Sequence, residues 1–191
     1  MVWAYSDPEE IISEFWRRSG HPSQAQLDLL TKTMGIPVTA LAGSGEGDFP
    51  IAMFRVDRHR NTFTFTDDET TKPCVGFVSW DQWGDAHDLI AWSPRDGWSG
   101  SWLGRAAALN EFEVQVPCMG DPVRVFLNIA DWLRAGRSGL AIVDKDKSAR
   151  LLEGLTVQAF DLEEGVKLRK ILERPRARIV VPDKRQDREA A

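Results

Sequence analysis

The sequence predicts an α+β fold with an N-terminal helical pair, an antiparallel β-meander and a C-terminal α/β portion containing a strand-helix-strand unit. Three observations carry this. Over residues 122–146 strand, helix and strand signals follow one another without conflict, residues 50–103 read as β throughout, and residues 6–34 hold two helix starts, each followed by an apolar stripe. The segments divide as 1–42, 43–104 and 105–182, packed as one compact domain, with 183–191 a mobile tail.

Taken in order, Ser6, Asp7, Pro8 and Glu9 form a helix start, with Ser6 as cap, and Ile11, Ile12, Phe15 and Trp16 follow as one stripe ending near Gly20. A second helix spans 23–34, with Leu27, Leu30 and Met34 on one face and Gly35 as its stop. Residues 36–42 suit a short strand, and 43–48 (GSGEGD) a loop. That loop lacks a following Lys-Ser or Lys-Thr and a following helix, so it does not fit a phosphate-binding motif.

In the β region, IAMFRV and TFTFT flank a hairpin turn at 57–61, and the TFTFT alternation marks a sheet with one wet face. Strands follow at 74–80, 88–92 and 101–103, with turns at 83–85 and 95–97. Residues 103–109 look helical and 112–116 strand-like. In the central unit Val123, Val125 and Phe126 form a strand, Asn128 caps a helix carrying Ile129, Trp132 and Leu133, Gly136 ends it, and 139–143 is an apolar strand. A helix packed between two parallel strands is the economical reading, while the crossover, close to the minimum of about 10–12 residues, leaves an antiparallel pairing open. A short helix at 148–153, a strand at 156–160, a helix at 161–173 capped by Asp161 and a strand at 178–181 complete the chain.

Hydrophobic residues at 42% and charged residues at 28% exclude disorder, and eight Trp against one Tyr is unusual. Two cysteines, Cys74 and Cys118, are too few for a disulfide scaffold, and no stretch approaches the roughly 20 apolar residues of a membrane helix. A cytoplasmic setting, no membrane association and no cofactor are the expectations. From Lys167 onward nine basic residues face four acidic ones, a local charge of +5 that leaves −10 on the rest.

Asp144 and Asp146, at the carboxyl end of an apolar strand, have oxygen ligands suited to Mg²⁺ and a phosphate. The placement is similar to the acidic pair of the Toprim nucleotidyl-transfer domain. That family's Glu-Gly is matched before Asp144 only by Glu46-Gly47, in a glycine loop, and Lys145 and Lys147 oppose a metal. A metal-dependent phosphoester enzyme therefore needs a third carboxylate, Glu111, Glu113 or Asp161, beside the pair. Asp81, Asp85, His87 and Asp88 form a second group of possible ligands around a turn. Among the tryptophans, Trp80 is placed in the core, while Trp83 and Trp98, in turns beside glycine, are the exposed pair able to stack on a partner. On the helix at 161–173, burial of Leu162, Val166 and one side of the Leu168, Ile171, Leu172 group places Lys167, Lys170 and Arg174 on the outer face, continued by Arg176 and Arg178.

The block DLIAWSPRDGWSGSWLGRAAALNE followed by PVRVFLNIADWLRAGRSGLAIVD resembles uncharacterised bacterial proteins associated with phage and mobile-element regions. The resemblance implies an accessory protein and carries no activity. The expected function is a non-enzymatic binding role with a protein partner or, weakly, nucleic acid, through Lys167, Lys170, Arg174, Arg176, Arg178, Trp83 and Trp98. The alternative is the phosphoester enzyme using Asp144 and Asp146.

Overall fold

A computed structural model describes residues 7–43, 49–115 and 121–173. The fold is α+β, with an N-terminal helical region, an antiparallel sheet and a second, mixed sheet. Helix α1 (Pro8–Arg18) is capped by Asp7, whose side chain accepts the Glu9 amide, and it buries Ile11 and Phe15. Ser6 lies outside the described residues. Helix α2 (Gln24–Asp28) begins in a capping box between Ser23 and Gln26 and runs into a π-helical turn, Leu29–Thr33, closed by Met34 N–H to the Leu29 carbonyl. Gly35, at φ +68°, ends it.

Residues 36–42 form no strand. Pro37 starts a one-turn helix, α3 (Val38–Ala42), which presses Ala40 and Leu41 into the core. A short apolar run has no period that separates strand from helix, and packing decided between them.

The antiparallel sheet has the order β1–β4–β5–β6, built from β1 (Ala52–Phe54), β4 (Cys74–Trp80), β5 (Ala86–Trp92) and β6 (Ser99–Ser101). The expected hairpin exists, but the IAMFRV run breaks at Arg55. Its second half, β2 (Val56–Arg58), pairs with β3 (Phe63–Phe65) as a separate ribbon. Strands β4 and β5 are apolar on both faces. Val75, Phe77, Ile90 and Trp92 enter one cluster with Leu30, Leu41, Phe126 and Trp132, while Cys74, Val78, Leu89 and Ala91 enter another with Ile11, Phe15 and Phe54.

Residues 103–109 are not helical despite the Arg-Ala-Ala-Ala run. The buried Asp88 carboxylate accepts the main-chain amides of Leu89, Leu103, Arg105 and Ala106. Glu111 accepts those of Ala107 and Ala108 at 2.6 and 3.2 Å. Amides engaged in this way cannot join a helical ladder, so intrinsic propensity is overridden and Ala108–Leu109 becomes β7. The strand expected at 112–116 is a 3₁₀ turn, Glu111–Gln115, entered through Asn110 at φ +57°.

The mixed sheet has the order β10–β8–β9–β7. Strand β8 (Val123–Phe126), helix α4 (Ile129–Arg134, capped by Asn128) and β9 (Leu140–Ile142) form the central unit, and β8 and β9 are parallel. Helix α5 (Lys145–Leu151) follows, then β10 (Val157–Ala159), parallel to β8 on its other side, and α6 (Leu162–Leu172), capped by Asp161. The burial expected for α6 fails at Leu162, 86% exposed, and at Val166, 51% exposed, and holds for the Leu168, Ile171 and Leu172 group. Leu168, Ile171 and Leu172 take the inner face, and Gly165 approaches Ala159 of β10 within van der Waals reach of a missing Cβ. The strand expected at 178–181 and the tail at 183–191 lie outside the described residues. Among the described residues no helix is long and apolar enough to cross a membrane.

Candidate functional site

The structure scatters the residues that the sequence singled out. Trp83 is 73% exposed in the turn after β4, where Asp81 accepts the amides of Trp83 and Asp85. Trp98 belongs to the turn at the opposite end of β5 and is half-buried, with the Arg58 guanidinium 4.8 Å above its ring. They do not form one exposed pair. Trp80, expected in the core, is half-buried and stacks on Phe49 at 5.8 Å. On α6, Lys167 and Lys170 are exposed, and Lys167 pairs with Glu163 at 2.6 Å beside an Arg169–Glu173 pair at 3.2 Å. Arg174, Arg176 and Arg178 lie outside the described residues, as does Cys118.

Four of the carboxylates considered for a metal, Asp144, Asp161, Glu113 and Glu111, are engaged with the main chain. Asp144 caps α5, accepting the amides of Asp146 and Lys147 at 2.8 and 3.0 Å, and receives Asn61 Nδ2 at 3.4 Å. Asp161 caps α6, Glu113 lies 3.4 Å from the Gly139 amide, and Glu111 holds β7 with His87 Nε2 at 3.5 Å. Among the described residues no three His, Cys, Asp or Glu side chains are grouped to hold a metal ion.

Two concave regions flank the α1–α2 hairpin instead. The first is a groove of about 640 Å³ between α1, α2, α3 and the entry to β1, with Leu27, Leu41, Pro50 and Ile51 along its walls. At its rim Trp16 is 53% exposed and Val38 69%. The Trp16 indole meets Phe15 and Phe49 edge to face, with centroids 5.1 and 5.4 Å apart, so it is held in place although exposed. Beyond Ser19, Gly20 and His21 the groove opens into a polar trough lined by Arg17, Arg18 and Arg55.

The second is a cleft of about 530 Å³ bounded by the π-helical turn, β2 and the β5–β6 turn. Leu30, Met53, Val56 and Val75 lie along its apolar side and Arg58, Lys72, Arg95 and Asp96 at its polar edge. Arg58 is fixed from three directions: Nη1 donates to Asp96 Oδ2 at 2.7 Å, Nη2 lies 3.5 Å from Cys74 Sγ, and the guanidinium covers Trp98. The Ser93 hydroxyl and Arg58, with the Trp98 amide, push the Asp96 carboxyl down to about 2. Burial raises the Cys74 thiol above its ordinary range. Desolvation alone would lower the Arg58 value, and the bonds to Asp96 and Cys74 outweigh it, so the net shift is upward.

Neither region was found from the sequence. In the sequence Trp16 is one member of the apolar stripe of α1, and Arg58 and Asp96, 38 residues apart, meet only because two turns come together. No known protein family, curated protein or solved structure matches the chain.

Proposed function

We propose that this protein is a non-enzymatic binding protein that holds an apolar segment of a protein partner in the groove beside α1, in an accessory role of the kind its resemblance to phage and mobile-element proteins implies. One observation carries the reading: Trp16 is exposed yet braced by Phe15 and Phe49 at the rim of an apolar groove, with Val38 on the other side. A large aromatic that exposes its ring without losing its rotamer costs little conformational entropy on binding, and such residues dominate interface energetics. The adjoining trough is mixed in charge, with Arg17 and Arg18 paired to Glu14 and Arg18 also to Asp67, so the apolar groove alone supports the reading.

The test is photo-crosslinking in the native host from benzoylphenylalanine at position 38. A discrete protein adduct that falls at least about tenfold with Trp16→Ala, the loss of one interface anchor, and is unchanged by Trp83→Ala supports the reading. No adduct, or one indifferent to Trp16→Ala, rejects it.

A weaker contact with nucleic acid through the outer face of α6 is a second reading, favoured by the exposure of Lys167 and Lys170 together.

A further inference from the structure

We infer that the cleft between the π-helical turn and the paired turns around Arg58 is a binding site for a small organic phosphate of nucleotide size. This is separate from the groove beside α1 and stands or falls without it.

The cleft's volume, about 530 Å³, lies within the range of small-ligand sites and well above a water-filled surface dimple. Its chemistry is divided. Leu29, Pro73 and Pro94, which keep exposed surface, offer an apolar wall against which a flat ring can lie, backed by the buried Leu30, Met53, Val56 and Val75. At the opposite edge Arg58, Lys72 and Arg95 supply three cations against the carboxylates of Asp57 and Asp96. Arg58 and Asp96 offset one another, so the excess of positive charge at this edge comes from the exposed Lys72 and Arg95 against Asp57.

Arg58 is the strongest element of the argument. A solvated arginine spends side-chain entropy when it captures an anion, whereas this one is already oriented by Asp96, Trp98 and Cys74. Its guanidinium has five N–H groups, more than those two hydrogen bonds use, and phosphate is the anion its geometry matches bidentately. Lys72 and Arg95 extend the charge beyond what a single carboxylate requires. The π-helical turn adds a further sign, because such turns recur at functional sites, and Leu29 and Leu30 of this one line the cleft.

The test uses the whole chain, isotope-labelled, titrated with adenosine monophosphate at low ionic strength and followed by NMR. The expected result is saturable shifts centred on Leu30, Val56, Val75 and Ser93, with adenosine and inorganic phosphate each binding at least about tenfold more weakly, as loss of either half of a divided site requires. Lys72→Gln with Arg95→Gln changes exposed side chains only and is expected to weaken binding by a further factor of about ten without altering the fold. Arg58→Gln abolishes it, and the double variant keeps the proposal testable if that substitution disturbs the turns. Failure of the nucleotide to bind, binding unchanged in the double variant, or preference for an aromatic carboxylate such as indole-3-acetate each overturns the assignment.

Discussion

Asp96 sets a pH dependence that can be measured. Its folded carboxyl titrates near 2 against an ordinary 3.8, so its contribution is fully present above the ordinary value and is lost as pH falls from about 3.8 through 2. The side chain is more than half exposed, so solvent screening keeps the effect small. Chemical denaturation of the parent and Asp96→Asn between pH 2 and 5 is expected to show two stability curves that converge at the acid end. Trp132 is the opposite kind of residue. It is 2% exposed, donates its indole N–H to the Gly139 carbonyl at 2.9 Å and meets Phe77 edge to face. Trp132→Ala is expected to cost about 3–5 kcal/mol in equilibrium unfolding.

At the scale of the element, β4 depends on a missing side chain. A Cβ on Gly76 would lie 2.4 Å from the ring of Phe54, which is fully buried and has no space to retreat into. Gly76→Ala is therefore expected to destabilise by about 1–3 kcal/mol, measured by thermal and urea unfolding. Helix α6 carries the test of the nucleic-acid reading. Pairing of Lys167 with Glu163 and Arg169 with Glu173 reduces the charge its face offers a polyanion, and the chain's net charge of −5 opposes binding further. Fluorescence anisotropy with a labelled single-stranded oligonucleotide is expected to show weak binding at low salt. That binding should fall steeply with added salt and be reduced by Lys170→Glu with Arg174→Glu. Binding indifferent to both would leave α6 an ordinary solvated surface.

Across the whole molecule, Arg137 ties the N-terminal and C-terminal parts together. From the turn after α4, at φ +62°, it donates Nε to the Ala40 carbonyl at 2.6 Å and Nη1 to the Phe49 carbonyl at 2.8 Å, with Phe77 and Trp132 within 6 Å. Each buried carbonyl left without a donor costs about 1–3 kcal/mol, so Arg137→Ala is expected to lower stability by at least about 2 kcal/mol. The loss should appear in one cooperative transition, because Leu30, Phe77 and Phe126 share a single cluster. Separate far-ultraviolet and tryptophan-fluorescence midpoints would contradict that.

What the chain determined by itself is what depends on near neighbours. The caps at Asn128 and Asp161, the stop at Gly35 and the strand-helix-strand order of 123–142 all rest on hydrogen bonds and periodicities spanning a few residues, and each is legible in the sequence. Tertiary structure decided the rest. Residues 103–109 gave up their helix to carboxylates from Asp88 and Glu111, and α6 turned its Gly165 side rather than Leu162 toward β10. The candidate sites belong to this second group. Trp16 is exposed because the groove stops short of covering it, and Arg58 reaches Asp96 across 38 residues of sequence. Local periodicity specifies which face of an element is apolar, but only the packed neighbours determine which apolar face remains open and which charges meet there.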